Sequence, residues 1–200
     1  MTYRNFAIIG LLSPILFLTT YLFLSNLRPE YSLLYKQVSE LGSLDAPNKW
    51  IWNIFGYIIP GILISCYSIG LYKSMKGEKS SKFPLIGIFL FGFFLMVSGI
   101  FPANMDNRTA NSTILHMIGS YGSYIFFLIG TFSYSKLMKV NRYWKSSNVP
   151  LLTFVWLSIV FGTWSWIFPN MPSVGQRVTF FFVFAWIFYT AIKLYKLPEE

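Results

Sequence analysis

Six side chains of this 200-residue chain are of types that do chemistry, and they sit where an apolar sequence has least reason to keep them. Ser39 and Glu40 lie in KQVSELGSLDAP, Asp106 and His116 in GIFPANMDNRTANSTILHM, and Gln176 and Arg177 in SWIFPNMPSVGQR. A carboxylate and a histidine together exchange protons near neutral pH. A serine becomes a nucleophile when such a base reaches it, and an arginine grips a phosphate or carboxylate with two parallel N–H groups. The residue types therefore assign Ser39, Glu40 and His116 as catalytic candidates and Asp106, Gln176 and Arg177 as substrate-binding candidates. The sequence names no cofactor, although Glu40, Asp106 and His116 are residue types that can bind a divalent ion. Their spacing matches no metal motif, and a single histidine excludes a three-histidine zinc site, so no metal ligands are assigned.

The elements that must position these groups are read from the apolar runs. The chain is 54% hydrophobic and 20% aromatic with only 12% charged residues, a composition of membrane proteins and not of soluble domains. Runs long enough to cross about 30 Å of hydrocarbon occur at 6–26, 51–72, 84–101, 113–135, 149–168 and 178–195. The expected fold is all-α, a six-transmembrane-helix bundle. What remains for loops and tails is too little for a second core, so residues 1–200 are expected to form one membrane domain. The first run is longer than a signal-peptide core and is expected to stay as an anchor. Cys66 is the only cysteine, which leaves no intrachain disulfide.

The charges set the orientation. Eleven basic residues, Arg4, Lys73, Lys76, Lys79, Lys82, Lys136, Lys139, Arg142, Lys145, Lys193 and Lys196, fall on one side, and Arg28, Lys36, Lys49, Arg108 and Arg177 on the other. Basic loops stay in the cytoplasm, so both termini are expected there, in the cell membrane, with the six candidates on the extracytoplasmic face. The net charge of +9 is thus read as orientation and contact with anionic membrane lipids, and nucleic acid is not an expected partner. Nothing in the sequence sets an oligomeric state.

Each candidate has a plainer reading beside the chemical one. Tyr31, Leu34, Tyr35, Val38 and Leu41 carry helical spacing, so 28–42 is expected as a short amphipathic helix lying in the interface, with Gly42 as its stop. On that helix Lys36 and Glu40 stand four apart, the spacing of a surface ion pair. The alternative is that Ser39 and Glu40 turn inward over the bundle. His116 either serves a site or hydrogen-bonds a neighbouring helix, and Arg177 either pairs with Glu40, Asp106 or a bound anion or snorkels to the interface. IFPANM at the end of the third run and IFPNM at the end of the fifth form a short internal echo, with helix breaks on the same face. Gly56, Gly61, Gly119 and Gly122 are expected to allow close helix packing.

YSLLYKQVSELGS after a first helix, GIFPANMD with a following LHM, and GQR opening a last helix resemble the DUF998 family of six-helix integral membrane proteins. The resemblance covers nearly the whole chain. It implies that Ser39, Glu40, Pro102, Asp106, His116 and Arg177 occupy the family's polar motif, and it brings no established activity. A fainter likeness, in the Ser-acid-x-Gly loop and the later Phe-Pro and His, links the chain to the Frag1/DRAM membrane proteins, some of which are tied to lipid-anchor remodelling. Here Glu40 stands where that group tends to have aspartate. The leading expectation is an enzyme acting on a lipid or lipid-linked anionic substrate at the extracytoplasmic face. A non-catalytic lipid or small-solute binder or transporter, and a structural membrane protein, are the alternatives.

Overall fold

The computed structural model describes residues 1–77 and 80–198; Lys79, counted above among the basic residues, and Glu78 lie outside the described residues. Six helices are long and apolar enough to span a membrane: α1 (Tyr3–Asn26), α2 (Lys49–Lys73), α3 (Phe83–Ile100), α4 (Asn111–Val140), α5 (Lys145–Ile167) and α6 (Pro172–Tyr195). No strand occurs among the described residues. The shortest, α3, has 18 residues, so at 1.5 Å per residue it is about 27 Å long, slightly less than the roughly 30 Å of hydrocarbon. Ile8, Leu12, Ile15, Leu18 and Leu22 of α1 are exposed at helical spacing while Ala7, Phe17 and Leu24 are buried. This outward apolar stripe is the signature of a lipid-facing surface, and the protein is an integral, multi-pass membrane protein.

The order of packing follows the chain. α1 packs on α2, α2 on α3 and α3 on α4; α5 packs on α6, and α6 returns to α1, whereas α4 and α5 touch much less. Small residues let the first four helices approach closely. Gly61 of α2 and Gly92 of α3 each face the other's backbone carbonyl, and a Cβ at Gly119 would stand 2.6 Å from the Ser98 nitrogen. Trp52, Phe127, Tyr67, Tyr134 and Trp186 fill the interior.

Within α2, Trp52–Ile58 forms a widened π turn that closes with the Ile59 N–H on the Ile54 carbonyl. Pro60 stands just beyond it. Proline has no N–H for the Gly56 carbonyl and its ring clashes with that oxygen, and a wider turn relieves both problems. In α5 the helix breaks at Thr163 before a last turn, Trp164–Ile167.

The connections after α1, α3 and α5 share one face, called here the loop face. The first differs from its expected form. Residues 29–36 run through turns, and only Val38–Gly42 is helical, as a single 3-10 segment. Tyr31, Val38, Leu41 and Ala46 are buried but Leu34 and Tyr35 are exposed, so the apolar residues point into the bundle without forming one helical stripe. Tertiary hydrogen bonds hold the segment down: Leu44 N–H donates to the Ala103 carbonyl at 2.9 Å, and Ser173 Oγ to the Tyr35 carbonyl at 2.7 Å. Gly42 has no left-handed backbone to accommodate. It is needed for space, because a Cβ there would run into Asn53 and Trp52, and Asn53 Nδ2 donates to the Gly42 carbonyl at 2.9 Å.

Candidate functional site

Glu40 answers first to its own segment. Its Oε1 accepts the Gln37 N–H at 2.7 Å, capping the 3-10 turn, and Oε2 lies 3.1 Å from Lys36 Nζ. The carboxylate therefore faces the Lys36 ammonium, the ion pair that the four-residue spacing allows, although the segment between them is not a regular helix. Ser39 is buried, with Oγ donating to Gln37 Oε1 at 3.5 Å, the limit of a hydrogen bond. Arg28 braces the segment from below: Nη1 donates to the Glu40 carbonyl at 3.1 Å and Nε to Glu30 Oε1 at 2.7 Å.

Gln176 and Arg177 lie in the second turn of α6, since the helix begins at Pro172. They clamp the first connection from the side. Gln176 Oε1 accepts the Val38 N–H at 2.8 Å, which supplies a partner to the start of the 3-10 turn. Arg177 donates from Nε to Tyr21 Oη (2.8 Å), from Nη1 to the Ser173 carbonyl (2.9 Å), and from Nη2 to Tyr31 Oη (2.9 Å) and the Lys36 carbonyl (2.6 Å). Its guanidinium also lies over the Tyr31 and Tyr21 rings, 5.4 and 6.0 Å from their centroids. Burial pushes the Tyr31 phenol well above its usual range, so it stays a neutral hydroxyl that accepts from Arg177 and donates to the Gln37 carbonyl at 2.9 Å. Every hydrogen-bond acceptor that Arg177 finds is uncharged, and among the described residues no carboxylate reaches it.

His116 belongs to a different junction. It lies in the second turn of α4, buried, with Nδ1 2.9 Å from the Ser98 carbonyl and 3.2 Å from the Phe101 carbonyl. Two acceptors at Nδ1 mean that this nitrogen carries the proton. The local sequence explains the contact. A regular α3 would satisfy the Ser98 carbonyl with the N–H of residue 102, but that residue is Pro102 and has none. His116 Nδ1–H takes its place. The Phe-Pro and later His of the sequence are thus two halves of one helix end.

Asp106 stays in the exposed connection between α3 and α4, its N–H donating to Asn104 Oδ1 at 3.0 Å. The structure thus gathers Ser39, Glu40, Gln176 and Arg177 around the first connection, and no hydrogen bond or ion pair joins His116 or Asp106 to them. Nor do Glu40, Asp106 and His116 form the ligand set considered above: among the described residues no three His, Cys, Asp or Glu side chains come together. The cap on Gln37 holds Glu40 in one place, Pro102 holds His116 in another, and Asp106 lies at the surface.

The residues that the sequence did not single out are aromatic. Below Arg177 runs an apolar groove of about 580 Å³ between α1 and α6, with Phe17, Leu18 and Tyr21 on one wall and Phe181, Phe184 and Phe188 on the other. Among the described residues Arg177 is the only charged one in its lining. The signal was present in the 177, 181, 184 and 188 spacing of α6, but an apolar stripe in a spanning helix reads equally as lipid contact or helix packing.

A family described as "Protein of unknown function (DUF998)" matches residues 11–193, a stretch that reaches into all six helices. The chain belongs to that family. No curated protein matches it, and no solved structure does.

Proposed function

We propose that this DUF998 protein is a non-catalytic binder of an anionic phospholipid, holding an acyl chain in the groove between α1 and α6 and the phosphate at Arg177, on the extracytoplasmic face. The observation that carries this reading is the environment of Arg177: a permanent charge at the mouth of an apolar groove, hydrogen-bonded to neutral oxygens alone. A guanidinium at the edge of the hydrocarbon favours a counter-charge, and the one N–H that its four hydrogen bonds leave, on Nη1, can donate to a phosphate oxygen. From Arg177 to Ile192, both in the groove lining, α6 rises roughly 22 Å at 1.5 Å per residue, the reach of a long acyl tail. The uneven distribution of basic residues supports placing the loop face outside.

Binding is favoured over catalysis because Ser39, Glu40 and His116 each hold a structural partner and none holds another. Native mass spectrometry of protein extracted in mild detergent tests the reading. The wild type should retain an anionic phospholipid, and Arg177→Gln, which keeps hydrogen-bonding capacity without charge, should reduce its occupancy roughly tenfold or more, the scale of a lost charge-assisted hydrogen bond. Ala185→Trp, filling the groove below, should expel anionic and zwitterionic lipid alike. Equal occupancy in wild type and Arg177→Gln overturns the proposal.

A further inference from the structure

A second cavity, of about 280 Å³, lies against another face of α6, between α4, α5 and α6, with Tyr57 of α2 and Phe91 and Leu95 of α3 completing its wall, where α4 and α5 touch much less than α3 and α4 do. Its walls differ in kind from those of the groove. Ser120, Ser123 and Tyr124 of α4, Ser165 of α5 and Gln176 and Thr179 of α6 bring hydroxyl and amide groups to it. At its base Tyr124 Oη and Ser158 Oγ are 3.3 Å apart, and Thr179 Oγ1 donates to the Ser158 carbonyl at 3.3 Å. Thr179 is two helical turns below Pro172, roughly 10 Å down the axis at 1.5 Å per residue, so these groups stand at membrane depth.

Hydrocarbon satisfies no polar side chain at that depth; Ser123 Oγ donates to the Ser120 carbonyl at 2.8 Å and Ser120 Oγ lies 3.2 Å from Ser98 Oγ, so protein holds these hydroxyls and their remaining oxygen lone pairs are what they offer a polar occupant. No lining residue is Asp, Glu, Lys, Arg or His, so an ion placed here would be stripped of water with no counter-charge. The occupant is therefore uncharged. The open lone pairs of the hydroxyls accept and the Gln176 Nε2 amide, whose Oε1 is taken by the Val38 N–H, donates, which suits a molecule that itself carries several hydroxyls, while Tyr57, Phe161 and Phe180 offer apolar surface to its C–H faces. The volume equals that of about nine waters at ~30 Å³ each, the room of one sugar ring or short polyol.

We propose that the cavity between α4, α5 and α6 binds an uncharged polyol of about the size of one sugar ring. The site shares Phe180 with the phospholipid groove but differs from it in chemistry, and the proposal stands or falls independently of it. Saturation-transfer NMR on the purified full chain, in a detergent without sugar headgroups, reads such binding even when it is weak. Glucose and myo-inositol are the neutral probes, with gluconate and glucosamine as charged molecules of matching size. Saturation should pass to the neutral probes and not to the charged ones. Ser123→Trp, which fills the cavity, should reduce the signal roughly tenfold or more, and the smaller Ser123→Leu should reduce it by an intermediate amount and guards against a misfolded Trp variant. Ala185→Trp, in the groove, should leave it unchanged. No transfer to either neutral probe, equal transfer to the charged probes, or a signal that survives Ser123→Leu and Ser123→Trp overturns the proposal.

Discussion

The junction of Pro102 and His116 makes a quantitative prediction. Ser98 is 1% exposed, and its carbonyl has lost the backbone donor that a residue other than proline would supply. His116→Leu keeps the bulk and the helix propensity while removing the N–H, so it leaves a buried carbonyl unsatisfied at a cost of about 1–3 kcal/mol. For a chain of this length each kcal/mol shifts Tm by roughly 2–4 °C, so thermal unfolding in detergent should fall by about 2–12 °C. His116→Asn places an amide N–H near the former Nδ1 and should recover most of the loss. The deciding measurement is a double-mutant cycle. Pro102→Ala supplies a backbone N–H that reaches the Ser98 carbonyl once Phe101, extended in the native chain, continues the helix, so in that background the cost of His116→Leu should shrink to under about 1 kcal/mol. Asn no better than Leu, or an unchanged cost in the Pro102→Ala background, would refute the assignment of His116 as a substitute donor.

Three further outcomes follow from the loop face. Glu40→Gln keeps an acceptor for the Gln37 N–H and loses only the pair with Lys36, so stability should change by less than about 1 kcal/mol and retained lipid not at all; loss of the lipid in this variant would return Glu40 to the binding site. Gly42→Ala drives a methyl group into Asn53 and Trp52 and should cost about 1–3 kcal/mol, seen as a lower Tm with faster hydrogen exchange across 38–42; unchanged exchange there would contradict the close packing. Asp106 is exposed, so Asp106→Cys in a Cys66→Ser background should react with an impermeant thiol reagent added to intact cells. Labelling only after lysis would reverse the proposed orientation.

The six spans were legible because each depends on a local property. A run of apolar residues long enough to cross the bilayer must satisfy its backbone hydrogen bonds within itself, and helix is the outcome whatever its neighbours are. The family was legible for a related reason, since the polar segments that carry the resemblance lie between those runs. The loop after α1 was not. Tyr31, Leu34, Tyr35, Val38 and Leu41 carry helical spacing, yet hydrogen bonds to Ala103 and to α6 hold the segment in turns, and only Val38–Gly42 closes as a 3-10 helix.

The candidate residues divide along the same line. Sequence identified Ser39, Glu40, Gln176 and Arg177 as polar groups on one face, and the ion pair of Lys36 with Glu40 could be read from their spacing. It did not reveal that Arg177 has only neutral acceptors, because Tyr21 and Tyr31 reach it from α1 and the first connection. His116 was visible as an unusual residue, but its role depends on a carbonyl 18 residues away that Pro102 leaves unserved. The sequence by itself determined six spanning helices and a polar loop face, since hydropathy and span length act locally along the chain. Only the tertiary structure decided which polar groups meet, which already serve the fold, and where an apolar groove and a hydroxyl-lined cavity remain, since those depend on how separate helices pack.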